Sequence, residues 1–205
     1  MVMLKQCLRD PIPEIFDAAR FLDAAVSAHI QGRHAVAEQL LTLANMPAVR
    51  EWTESLWGAN SPYVQIRTDP DAPAYLADDL KVPLRMPNAS ERAALHVRDG
   101  YHCRVCGIPV VRKEIRVKLA EAYPTAVPWG KANGDQHAAF QAMWAQYDHV
   151  IAHARGGTND PENMIVTCAP CNYSRMSYTF AEVGLADPRE RAPIQSRWDG
   201  LERFR

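Results

Sequence analysis

Apolar residues in the first quarter of the chain recur at helical spacing. Ile15, Ala19, Leu22, Val26 and Ile30 form one run, Gly32 breaks it, and Val36, Leu40 and Leu43 resume it. Val49, Trp52 and Leu56 follow Pro47 with the same period. A 3.6-residue repeat gathers such positions on one stripe, so the pattern predicts three helices over residues 13–57, each burying one face against the others. His29 and His34 fall in this region, but nothing nearby in the sequence completes a metal site with them.

Residues 61–87 break this periodicity. Pro62, Pro70, Pro73, Pro83 and Pro87 punctuate the segment, among Asp69, Asp71, Asp78 and Asp79. Proline removes a backbone donor and fixes φ, so an extended connector with a solvated acidic face is expected, with a short helix near residues 74–79. Asn88 followed by Glu91 is a capping pattern. It opens a helix containing Ala93, Leu95 and Val97, which Gly100 can close in a left-handed conformation. Residues 108–111 are strand-like. Arg112, Lys113, Arg116 and Lys118 then form a basic cluster that suits either phosphate contact or a solvated face. Residues 136–146 suggest a helix, with Phe140, Met143 and Trp144 on its apolar side. Val150 and Ile151 favour a strand, Gly156-Gly157 and Asn159-Asp160-Pro161 a loop, and residues 164–167 a returning strand. Pro170 suits the first turn of a closing helix.

Composition adds little until the cysteines are considered. The chain has 205 residues, 47% apolar and 23% charged, as in an ordinary soluble protein. No apolar run is long enough for a membrane helix, and no basic-then-apolar leader opens the chain, so a cytoplasmic protein without membrane contact is expected. The net charge is −1, made of −3 over residues 1–90 and +2 over the remainder. Any nucleic-acid surface must therefore be local, and the acidic first part is not expected to grip DNA.

Four of the five cysteines form two C-x-x-C pairs, Cys103/Cys106 and Cys168/Cys171. Without an export signal, such pairing favours a metal over disulfides. Two such turns supply the four thiolates of a closed structural zinc site, and the ion would tie the start of this region to its end. A redox dithiol is the competing reading. The 61 residues between the pairs far exceed a compact zinc ribbon, so an insertion is expected at about 108–147. The leftover Cys7 is read as a small buried residue.

Two stretches then carry a resemblance: residues 98–107, RDGYHCRVCG, and residues 148–172, from Asp148-His149 through Gly156-Gly157 and Asn163 to Cys168-x-x-Cys171-Asn172, with Arg175 beyond. Together they resemble the HNH endonuclease family over roughly residues 88–180. The resemblance implies an α+β fold: a ββα-metal core braced by two C-x-x-C zinc knuckles, behind an N-terminal α-helical domain. The chain divides accordingly into helices (1–60), a Pro-rich connector (61–87), an HNH domain (88–184) and a C-terminal segment packed on the core (185–205), with Trp198 and Phe204 buried.

By the same resemblance His149 is the general base, and Asp148 and Asn172 hold a catalytic Mg²⁺ or Mn²⁺. Asn163 orients the histidine and steadies the loop. An imidazole near pKa 6.5 accepts a proton at neutral pH, and hard oxygen donors suit those ions. Because neighbouring strand residues point to opposite faces, Asp148 and His149 can serve one phosphate only at a bend or a strand end. Arg155, Arg175 and His153, the last on the same strand face as His149, are candidate substrate contacts. The implied activity is one-metal hydrolysis of DNA, in a setting such as bacterial defence or restriction. The N-terminal helices would dock a protein partner or a second copy. The alternative is a zinc-braced nucleic-acid-binding or adaptor module without catalysis.

Overall fold

A computed structural model describes residues 4–57, 61–83 and 86–205, so the ends of the 1–60 and 61–87 divisions fall partly outside the described residues. Three helices open the chain: α1 (Pro13–Ile30), α2 (His34–Leu43) and α3 (Pro47–Leu56). Proline begins α1 and α3, where the missing N–H costs no helical hydrogen bond. Ile15, Ala19, Leu22, Val26, Val49, Trp52 and Leu56 are buried, as their spacing predicts, but Ile30 and Leu43 are exposed, and α2 buries Ala37 and Leu41 rather than the stripe of Val36, Leu40 and Leu43. The connector is extended, and its short helix is a single 3-10 turn at Asp78–Leu80.

Next comes α4 (Ala89–Asp99). Asn88 Oδ1 accepts the Glu91 N–H at 3.0 Å, and the Glu91 carboxylate accepts the Asn88 N–H at 2.7 Å. Gly100 closes the helix at φ 66°. A Cβ there would lie 2.0 Å from the Ile194 carbonyl oxygen, so only glycine lets the C-terminal segment pass.

The insertion holds α5 (Lys113–Ala122) and α6 (Ala138–Ala142). Two strands and a helix follow: β1 (Ala145–His149), β2 (Met164–Cys168) and α7 (Ala169–Arg175). β1 and β2 are antiparallel, from Ala145 opposite Cys168 to His149 opposite Met164. The order strand, loop, strand, helix is the one anticipated, inside a mixed fold of seven α-helices and one small sheet among the described residues.

Three local expectations fail, each because long-range pairing overrides local preference. Residues 136–146 are not one helix: α6 has five residues, and the chain turns into β1 where Ala145 N–H donates to Val111 O. Residues 108–111 form only isolated bridges, to His102 and Trp144. Val150 and Ile151 lie beyond β1: Val150 N–H still donates to Asn163 O at 2.8 Å, but Asn163 N–H turns to Asp160 O and Ile151 N–H to Asn163 Oδ1, which ends the ladder. In the basic cluster, Lys113 and Lys118 are solvated. Arg116 is buried with its guanidinium 3.5 Å from the Trp129 ring centroid, and Arg112 pairs with Glu202.

The insertion fills the space between the N-terminal helices and the ββα unit. His137 Nε2–H donates to Leu41 O at 2.9 Å, and Ala138 N–H to Asn45 Oδ1 at 2.7 Å. Ser174 of α7 bonds Leu56 O. One buried core therefore runs from Leu8 to Phe204, and inward faces of α1 and α3 are covered by α6 and α7 of the same chain. In the C-terminal segment, Trp198 Nε1–H donates to Val110 O at 3.0 Å and Phe204 is buried. No helix among the described residues is long and apolar enough to cross a membrane.

Candidate active site and cysteine cluster

The four paired cysteines converge. Their Sγ atoms all lie within 4.8 Å of one another, three of the residues are buried, and Cys106 Sγ stands 3.6 Å from Cys168 Sγ. The first pair sits on a turn in which Gly107 N–H donates to Cys103 O, and the second spans the junction of β2 and α7. Burial opposes ionisation of Cys103, yet hydrogen bonds from the other three thiols hold it well below the usual thiol range. Burial, with hydrogen bonds to Cys103 and Cys106, pushes Cys168 up, and hydrogen bonds to the other three cysteines push Cys171 up. Four sulfurs this close together fit the four-thiolate shell of a tetrahedral zinc ion. Cys7 stands apart, buried and bonded to Asp10, its thiol pushed up to about 12 chiefly by burial.

Asp148 and His149 are the last two residues of β1. The strand ends at His149, the kind of place the alternation of side chains requires for both to serve one phosphate. Asp148 is buried against Arg175: Nη2 donates to Oδ1 at 2.6 Å and Nε to Oδ2 at 3.2 Å. Burial pushes the Asp148 carboxyl above its usual range, and the guanidinium works against that shift. Arg175 also donates to His149 O and Tyr178 O, both at 2.6 Å, and is 1% exposed.

His149 is half-buried, and its Nε2 lies 3.2 Å from Asn159 Oδ1. Asn159 Nδ2 donates to Pro83 O at 3.0 Å, which turns Oδ1 towards the ring. The imidazole Nε2–H is then the donor, and Nδ1 keeps the lone pair a general base needs. Asn172 is half-buried on α7, and its side chain makes no hydrogen bond among the described residues. Carboxylate and amide oxygens are hard donors of the kind that suit Mg²⁺ or Mn²⁺, and here both Asp148 oxygens accept from Arg175.

Asn163 brackets the loop. Its Oδ1 accepts Ile151 N–H at 2.8 Å, and its Nδ2 donates to Thr158 O and Ile151 O at 2.8 and 3.1 Å. It steadies the loop, but the side chain bonded to the imidazole is Asn159. Gly157 makes this close packing possible: a Cβ there would sit 1.7 Å from Ile151 O and 2.8 Å from Asn163 Nδ2. Sequence reasoning passed over Asn159, treating Asn-Asp-Pro only as turn punctuation; its one signal is an amide in the same loop as the Gly-Gly pair.

The expected substrate contacts are placed differently. Arg155 is buried, with Nη2 on both Glu182 oxygens at 2.8 and 2.9 Å, Nε on Ser177 O and Nη1 on Pro73 O. Arg175 is taken by Asp148, as above. His153 lies in a 3-10 turn rather than on a strand, with Nε2–H donating to Val82 O at 2.6 Å. Its ring centroid is 6.0 Å from that of His149, so of the three it stays nearest the candidate base. The connector thus straps this loop, offering the carbonyls of Pro73, Val82 and Pro83 to Arg155, His153 and Asn159.

Arg155→Ala, which leaves Glu182 buried without its partner, is expected to lower stability by about 3–5 kcal/mol. Chemical denaturation measures that loss. A folded Arg155→Lys protein with intact stability but weakened DNA affinity would instead restore the phosphate role.

A family model described as HNH endonuclease matches residues 136–176. The match runs from just before α6 to the residue after α7, and so includes Asp148, His149, Asn163 and Asn172. No curated protein and no solved structure matches the chain.

Proposed function

We propose that the HNH endonuclease domain carried by this chain hydrolyses DNA phosphodiester bonds, with His149 as general base and Asp148 and Asn172 as ligands of one Mg²⁺ or Mn²⁺. The observation that carries the reading is the conjunction at the end of β1. There a histidine whose Nε2 is committed to Asn159 follows a buried carboxylate, and α7, which packs on that strand, carries Asn172, whose side chain makes no hydrogen bond among the described residues. Nδ1 of His149 takes a proton from a water as its oxygen attacks phosphorus. The P–O3′ bond breaks, O3′ is protonated from solvent, and a 5′-phosphate remains. A divalent ion supplies positive charge to the phosphate and the departing oxygen. Asn159 holds the ring and its tautomer, Asn163 and Gly157 hold the loop, and Arg175 holds Asp148 and the His149 carbonyl in place.

Incubating supercoiled plasmid with the zinc-loaded protein tests this. Nicking in Mg²⁺ or Mn²⁺ that stops when the divalent ion is withdrawn is the expected result. One observation favours the rival binding module: Asp148 is already paired by Arg175. That reading is sustained if DNA affinity persists without divalent ions while no metal supports scission. A role in defence or restriction follows from the nuclease reading and is tested by phage plating on cells carrying the wild-type or His149→Ala gene.

A further inference from the structure

Arg155 and Arg175 are turned inward, towards Glu182 and Asp148. Ile151, Tyr75 and Met176 are exposed, and Tyr75 Oη meets Ser177 Oγ at 3.1 Å, which brings the connector beside the end of α7. Met176 is unusual among these. It caps α7 with φ 52° and ψ −128°, a conformation that glycine adopts freely and a residue with a Cβ adopts only under strain. The backbone is pinned there: Met176 N–H donates to Asn172 O at 3.1 Å, Tyr178 N–H to Arg175 O at 3.2 Å, and Arg175 Nη1 to Tyr178 O. The Met176 side chain nevertheless contributes little to the core, since the residue is 55% exposed. A long apolar side chain thus stands on strained backbone within one helical turn of the candidate ligand Asn172.

We infer that Met176 is a wedge, entering between stacked base pairs of duplex DNA beside the scissile phosphate; this rests on the nuclease reading above. Met176 N–H donates to Asn172 O, so the turn that bears Met176 adjoins the candidate ligand. An unbranched, polarisable thioether suits insertion between base steps, where apolar wedges unstack and kink a duplex. Such a wedge also accounts for a site whose nearest arginines are committed to internal partners, since part of the grip then comes from contact with bases.

The test uses the full zinc-loaded chain and a short duplex carrying 2-aminopurine, whose fluorescence rises on unstacking, with Met176→Gly and Met176→Leu beside wild type. Wild type is expected to raise the signal on binding. Met176→Gly should bind about tenfold more weakly, lose the rise, and melt no lower than wild type because its backbone is relaxed. Met176→Leu should recover both affinity and signal. Wild-type affinity with an intact rise in Met176→Gly overturns the wedge, and so does a wild-type protein that binds and cuts the duplex without any rise. A wild-type protein that neither binds nor cuts DNA defeats the nuclease reading itself, and the wedge with it.

Discussion

Substituting His149 by alanine is expected to cut DNA cleavage by a factor of about 10²–10⁴ while leaving the fold intact. The size follows from the role: without a positioned acceptor, the attacking water must surrender its proton to solvent. The selectivity follows from the surroundings. The side chain is half-buried at the end of β1, and its one hydrogen bond runs to Asn159, so truncation removes little packing. The strand end is retained, because Arg175 holds it through Asp148 and the carbonyl of residue 149. Single-turnover cleavage assays and a melting curve on the same preparation check both halves. Cleavage at the wild-type rate would remove His149 from the chemistry.

Loss of a zinc ion held by the four cysteines is expected to be the second large effect. The cluster joins the turn after α4 to the junction of β2 and α7, and that junction places Asn172 one residue beyond Cys171. A structural zinc ion contributes about 10–16 kcal/mol to the folding of small domains, comparable to the whole stability of a typical domain. Cys168→Ser, or a strong chelator, is expected to abolish cooperative folding of the ββα unit and to reduce bound zinc from one ion per chain to none. Because α3 and α6 share the core with α7, the damage should spread to the N-terminal helices. Atomic absorption and far-UV circular dichroism measure the two outcomes. A metal-free chain that unfolds at the same temperature as the loaded one would mean that the thiols are not a structural clip.

The sequence was informative where chemistry is local. The capping pair Asn88 and Glu91, the stripes of α1 as far as Val26 and of α3, Pro170 at the start of α7 and the two C-x-x-C turns each need only a few neighbouring residues, and the structure contains them. It was uninformative where partners come from afar. Nothing near residue 145 shows that Val111 will draw its N–H out of a helix. Nothing near Arg155 shows that Glu182 will claim its guanidinium. The end of the strand at His149 depends on Asn163, whose N–H turns to Asp160 O and whose Oδ1 takes Ile151 N–H twelve residues back along the chain. Asn159 is recognisable only once Pro83 O has turned its amide towards the imidazole.

Arg175 shows the same limit in a sharper form. Helical spacing puts it near Asn172 and suggests a phosphate contact, whereas the buried guanidinium spans Asp148 and the carbonyl of His149. A cation there fixes the carboxylate's orientation and competes with any ion for its charge.

Diffraction from crystals soaked in Mn²⁺, recorded at the manganese edge, addresses that competition directly. The account predicts an anomalous peak within coordination distance of an Asp148 carboxylate oxygen and Asn172 Oδ1, with Arg175 still on Asp148 and Nδ1 of His149 facing the ion's open side. Manganese absent from that place in crystals of a protein that cuts DNA with Mn²⁺, or bound only by other residues, would contradict it.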